Sequence, residues 1–279
     1  MLRRVITFLI VCAALMAQDT PPQTTVPPAQ TAPAPPVPAP PPPPKFQNDG
    51  KPITLPFQCT AEDIRWAGMT CSEDEPCPIY LELSAAEGVG DHIFAAGNIH
   101  SDTVTLYSIL LGSDDAGHTW SQGADIYRGA GLDHIQFLDP LTGWISGQTL
   151  FPISQDPFFL LTSDGGATWR AKPIFDENHF GGIQQFSFDS KTAGSVILDQ
   201  GPAGDLERYS RYESPDGGET WLLKEQSKKP LQLKRAATAA SNWRVRAEAA
   251  TRSYRIERRQ GERWISVAAF SVRLPVCKP

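Results

Sequence analysis

One octapeptide occurs three times in this chain, and its spacing sets the architecture. The copies are Ser113-Asp114-Asp115-Ala116-Gly117-His118-Thr119-Trp120, Thr162-Ser163-Asp164-Gly165-Gly166-Ala167-Thr168-Trp169 and Ser214-Pro215-Asp216-Gly217-Gly218-Glu219-Thr220-Trp221. All fit Ser/Thr-x-Asp-x-Gly-x-Thr-Trp. A decayed fourth copy over 257–264 keeps only Gly261 and Trp264. Successive box tryptophans stand 49, 52 and 43 residues apart. Periods in this range belong to propellers and solenoids, where each repeat is one unit that cannot bury its apolar face alone.

The chemistry of the octapeptide is that of a hairpin turn. The Asp carboxylate and the Ser or Thr hydroxyl accept from nearby backbone N–H groups. The glycine takes a left-handed conformation without penalty. The Trp opens the next strand and buries a large ring. One carboxylate per turn is too few oxygens for a calcium cage, so these residues read as structural.

Three short strands lead into each box and a fourth follows it. In the second unit these are Ile135–Asp139, Gly143–Gly147, Phe158–Leu161 and Thr168–Ile174. In the fourth they are Leu233–Ala239, Trp243–Ala247, Tyr254–Arg258 and Trp264–Phe270. Four-stranded units of this size are propeller blades. The fold class expected is all-β: a small β-propeller of four blades, with five as the alternative. Asp63–Gly68 and Ser271–Val276 are the candidate closing strands.

The N-terminus is set apart by composition. Residues 1–17 read as a signal peptide, with Arg3 and Arg4 ahead of a 12-residue apolar run from Val5 to Met16. That run is too short to span a bilayer comfortably; an uncleaved anchor is the alternative. Residues 18–50 read as a proline-rich disordered linker, because 13 of the 26 prolines fall between Pro21 and Pro44 and few large apolar residues accompany them. Residues 51–279 are left for the propeller. Of five cysteines, Cys12 leaves with the signal. The other four suit disulfides in an exported chain, with three possible pairings. We expect Cys71–Cys77 as a local loop and Cys59–Cys277 as a staple joining the domain's ends.

Charge is uneven. Residues 18–221 carry 9 basic and 27 acidic side chains, whereas residues 222–279 carry 14 basic and 4 acidic. Basic and acidic blades that pair in a closed structure account for this. A basic face for an anionic partner, built from Arg244, Arg246, Arg252, Arg255, Arg258, Arg259 and Arg263, is the sharper reading. The compartment argues against nucleic acid as that partner.

The boxes resemble Asp-boxes, also called bacterial neuraminidase repeats. With Phe137-Leu138-Asp139 and Gly143-Trp144-Ile145-Ser146-Gly147, the second unit resembles propellers of the photosystem II stability and assembly factor type. The resemblance covers roughly residues 78–270 and implies a propeller whose boxes lie away from the ligand face. It leaves function open, since Asp-box propellers include sialidases, other glycosidases, sorting receptors and assembly factors. A sialidase would require an Arg-Ile-Pro motif and three arginines spread over the blades. No Arg-Ile-Pro occurs, and Arg65, Arg128 and Arg170 are the only domain arginines before residue 208. The five histidines, His92, His100, His118, His134 and His179, form no metal or triad motif. The expectation is an exported, monomeric, non-catalytic propeller without cofactor or metal, binding another envelope protein. A glycan-acting hydrolase, or a domain that binds polysaccharide or an anionic surface, is the alternative.

Overall fold

A computed structural model of the chain describes residues 44–123, 127–201, 207–234 and 241–278. The signal-peptide reading and most of the linker reading fall outside these residues. The described chain is almost entirely β, with a single helix. Strands β1 (Lys45–Gln47), β2 (Cys77–Val89), β3 (His92–His100), β4 (Thr105–Ser113) and β5 (Thr119–Gln122) belong to the first sheet. The second comprises β6 (Ala130–Phe137), β7 (Gly143–Thr149), β8 (Gln155–Thr162) and β9 (Arg170–Pro173). The third comprises β10 (Gly182–Phe188), β11 (Gly194–Asp199), β12 (Tyr209–Ser214) and β13 (Leu222–Ser227). The fourth holds β14 (Trp243–Glu248), β15 (Ser253–Gln260) and β16 (Arg263–Ser271), and β17 (Arg273–Cys277) returns to the first sheet. All ladders are antiparallel, as short hairpin connections require. Each octapeptide sits between the third and fourth strands of its unit.

The sheets succeed one another as propeller blades. The first strand of a blade packs across inner strands of the blade before it: β6 on β2, β3 and β4; β10 on β7 and β8; β2 on β14 and β15. The blades therefore follow in the order fourth, first, second, third. The strand expected to carry the step from third to fourth, Leu233–Ala239, lies mostly outside the described residues. Leu233 itself donates its N–H to Gln185 Oε1 on β10 at 3.1 Å.

Aromatic side chains join the blades. Phe94 on β3 stacks on Phe137 of β6 with ring centroids 5.3 Å apart. Trp144 on β7 stacks on Phe188 of β10 at 3.9 Å. Trp243 on β14 lies where Gly88 of β2 has no side chain; a Cβ there would come within 2.4 Å of the indole. The box tryptophans do the same from the other side. Trp120 meets Phe270 of the fourth blade edge-on at 5.2 Å, Trp169 meets Phe94 at 5.8 Å, and Trp221 stacks on Phe159 at 5.4 Å.

Both termini close on the first sheet, whose strand order is β1-β5-β4-β3-β2-β17. The expected strand at Ser271–Val276 is thus present as β17, paired with the start of β2. The expected strand at Asp63–Gly68 is instead the helix α1 (Ala61–Ala67). Its cause is local: Thr60 and Asp63 form a reciprocal capping box, and Gly68 ends the helix in the left-handed region at φ 63°. Asp63, only 2 % exposed, also accepts from Tyr107 Oη and from Arg128 at 3.0 Å, which pins the helix to the first blade. Lys45–Gln47, placed in the linker by composition, pairs with Thr119–Ser121 on the outer edge of that blade. Covering the edge removes a row of unpaired backbone groups.

The disulfides are Cys59–Cys277 and Cys71–Cys77, the expected pairing. They span 218 and 6 residues respectively. A chain-entropy estimate gives about 5 kcal/mol for the long loop and about 2 kcal/mol for the short one. Chemical denaturation of Cys59→Ala/Cys277→Ala and Cys71→Ala/Cys77→Ala should therefore rank the first pair clearly as the greater loss. Equal losses would refute the staple.

Candidate functional site

The three octapeptides are nearly superimposable networks. In the first, Thr119 donates to Asp115 from its backbone N–H at 2.8 Å and from its hydroxyl at 2.6 Å. Ser113 Oγ donates to the same carboxylate at 2.9 Å and accepts from Gly117 N at 2.9 Å. Thr162, Asp164, Gly166 and Thr168 repeat the pattern, as do Ser214, Asp216, Gly218 and Thr220. Each carboxylate is occupied within its own turn, so none presents free oxygens to a ligand. Hydrogen bonds from Thr119 and Thr168 hold Asp115 and Asp164 down to about 2, and a hydrogen bond from Thr220 also lowers Asp216 below the usual carboxylate range. The fourth turn keeps Gly261 at φ 61° but has no such network, and Arg244 lies over its Trp264 at 4.1 Å.

These depressed carboxylates fix the sign of an acid response. Between about pH 4 and pH 2 the unfolded chain binds more protons than the folded one, so stability is lost as pH falls through that window. The melting temperature should drop there, and Asp164→Asn should flatten the slope. An unchanged slope would contradict the assignment.

A cleft lies between the first and second blades. Its floor is Phe94, Leu110, Leu160 and Trp169, and its rim includes Gln122 and Ala167; the cavity measures about 570 Å³. The carboxylates at the rim are engaged: Asp164 in its turn, Asp114 with His92 at 3.0 Å. The cleft thus offers apolar area and ring faces, with the His92–Asp114 pair at its rim. Chain spacing gave no sign of it, because its walls come from two repeats.

Deeper at the junction of the same blades stands a polar group that the sequence reading also missed. Three first strands carry a bulge at the same place in the repeat, at Ser84, Asp133 and Gln184. A bulge breaks the alternation of faces and re-aims one side chain. Ser84 Oγ donates to Leu132 O at 2.9 Å, joining the first bulge to the second. Burial, reinforced by the charge of Glu82, pushes the Asp133 carboxyl up to about 6. The available sequence signal was the equal distance of 29 residues from Ser84 to Ser113 and from Asp133 to Thr162.

The seven arginines of the expected basic face are divided. Arg244, Arg246 and Arg255 share one face of the fourth blade with Glu248 and Glu257. Arg244 bonds Glu257 at 2.7 Å, and Arg255 lies 3.4 Å from Glu248. Arg258 points to the opposite face, 5.9 Å from the Trp243 ring. Arg252 occupies a turn with φ 47°, Arg259 donates to Gly261 O, and Arg263 begins β16.

No protein-family model matches the sequence, and no curated protein matches it either. Among solved structures, the chain is similar to YCF48 bound to D1 peptide, at 17% identity and a TM-score of 0.39, over 68% of this chain and 54% of that one. It is also similar to a GH74 xyloglucanase from Xanthomonas campestris, at 17% identity and a TM-score of 0.35, over 48% of this chain and 18% of that one. The chain thus spans about half the length of the first and less than a fifth of the second.

Proposed function

We propose that the chain is an exported, non-catalytic β-propeller whose octapeptides are Asp-boxes. In this reading the cleft between its first and second blades holds a segment of another protein at the cell envelope. The observation that carries the reading is the composition of that cleft. Its floor is aromatic and aliphatic, its rim is polar, and its carboxylates are already bonded. Such a surface gains affinity from buried apolar area.

Export is supported by the two disulfides, which persist where thiols are oxidised. A hydrolase reading would rest on Glu82 and Asp133. Asp133 Oδ2, however, is sealed from solvent, whereas a catalytic carboxylate must touch its substrate. An anionic-surface reading loses ground because the arginines divide between two faces and two of them, Arg244 and Arg255, pair with carboxylates of their own blade.

The test is capture from an envelope extract on the immobilised domain, beside Gln122→Glu/Ala167→Arg, which places bulk and charge on the cleft rim. A defined protein should bind the wild type saturably and lose at least about tenfold in affinity for the variant, a cost of about 1.4 kcal/mol. The variant's melting temperature should not change. Equal capture by both proteins, or release of sugar from polysaccharide by the purified domain, would sink the reading.

A further inference from the structure

A second recess lies at the opposite end of the second blade from its octapeptide. Asp156 and Pro157 of β8, Pro173 at the end of β9, and Phe175, Asp176 and Glu177 of the loop that follows line one cavity of about 230 Å³. Backbone bonds hold its two loops together. Asp156 donates its N–H to His179 O at 2.7 Å, and its carboxylate accepts from His179 N at 2.9 Å. Gly181 N–H donates to Ser154 O at 2.9 Å, and Gln155 pairs with Phe180. Phe175 is fixed by stacking on His179 at 3.8 Å and by an edge contact with Tyr212 at 5.4 Å.

Two kinds of group are left over at the mouth of this recess. The first is negative charge. Asp176 and Glu177 are exposed, and among the described residues neither they nor Asp156 have an ion pair. Lys172 lies 3.8 Å from Glu219 of the third blade, and Arg208 is bonded to Asp199 at 2.7 Å. Burial, opposed by the charge of Asp156, lowers His179 below the usual histidine range, so near neutral pH it supplies no countercharge. The second is apolar area. Phe180 is 62 % exposed and Ile153 53 %, and the Ser154–Gly181 bond brings their two loops side by side.

Apolar walls below unpaired carboxylates match one kind of side chain. The stem of a Lys or Arg lies along Pro157, Pro173 and Phe175 while its head meets Asp156, Asp176 and Glu177. An acidic segment would be repelled, and a purely apolar one would leave the carboxylates unmatched. An apolar residue next to the base would take Phe180 and Ile153 out of water.

We propose that this recess docks a basic segment of a partner protein, taking one Lys or Arg side chain with an apolar residue beside it. The surface is separate from the cleft, which lies on the octapeptide side of the same blade, so either can fail alone.

The test is an array of short peptides with a central Lys, Arg, Glu or Gln and varied neighbours, probed with the purified exported domain. Retained peptides should carry Lys or Arg beside Leu, Ile or Phe. The best of them, measured in solution by fluorescence anisotropy, should bind one per chain and weaken as salt is raised. Asp176→Asn/Glu177→Gln should weaken it at least tenfold with no change in melting temperature, since neither side chain is bonded within the fold. Phe180→Ser should weaken it as well, while Glu262→Gln in the fourth turn should bind as wild type does. No retained peptide, retention regardless of the central residue, or equal affinity in Asp176→Asn/Glu177→Gln and wild type would overturn the proposal.

Discussion

The contact on which this fold depends is the seating of each octapeptide turn on a side chain of the preceding blade, an aromatic ring at two of the three junctions. Gly166 shows why the position is glycine. Its φ is 88°, and a Cβ would stand 2.3 Å from Phe94 Cζ. The turn therefore needs a residue that tolerates the left-handed region and also leaves room for a ring. The next junction makes the same contact in polar form, since Trp144 Nε1 donates to Gly217 O at 2.8 Å. Gly117 meets Val267 of the fourth blade instead, with 2.5 Å between a built Cβ and Cγ1. Cross-blade stacking then brings the box tryptophans onto the same neighbour. Blade is attached to blade by interlocking rings rather than by ladder hydrogen bonds.

This division of labour explains why the most repetitive residues are the least available for chemistry. Asp115, Asp164 and Asp216 are consumed by their own turns. What remains free lies outside them: the apolar cleft between the first and second blades, and the carboxylates of Asp176 and Glu177 at the other end of the second blade. The junction that holds the cleft lies beside the sheet to which the two chain ends are attached, by β1 on one edge and β17 on the other. The Cys59–Cys277 bond holds the ends of the domain together there.

Repeat arithmetic was enough to read the blades, because a period of this length and a turn with a fixed bonding pattern leave little freedom. The pairing of Cys59 with Cys277 and the strand at the C-terminus were legible for the same reason. Asp63–Gly68 was misread because its apolar residues, Ile64 and Trp66, suit a strand, whereas Thr60 and Asp63 cap a helix whose buried face they also anchor. Lys45–Gln47 was hidden by the prolines before it; only Phe46, opposite Trp120, marks it as core. The candidate sites were not legible, since they depend on which residues of different strands and repeats meet. Phe94 and Trp169, both in the cleft, are 75 residues apart.

The seating of turns on rings can be measured with a double-mutant cycle between Gly166 and Phe94. Gly166→Ala alone should be strongly destabilising, because the methyl group meets the ring. In a Phe94→Ala background, itself lower by about 3–5 kcal/mol, space opens. There the same substitution should cost only the backbone penalty for a positive φ, about 1 kcal/mol. A coupling energy well above 1 kcal/mol, on the order of that between packed neighbours, is the result the account predicts. Equal costs of Gly166→Ala in both backgrounds, read by chemical denaturation, would contradict it.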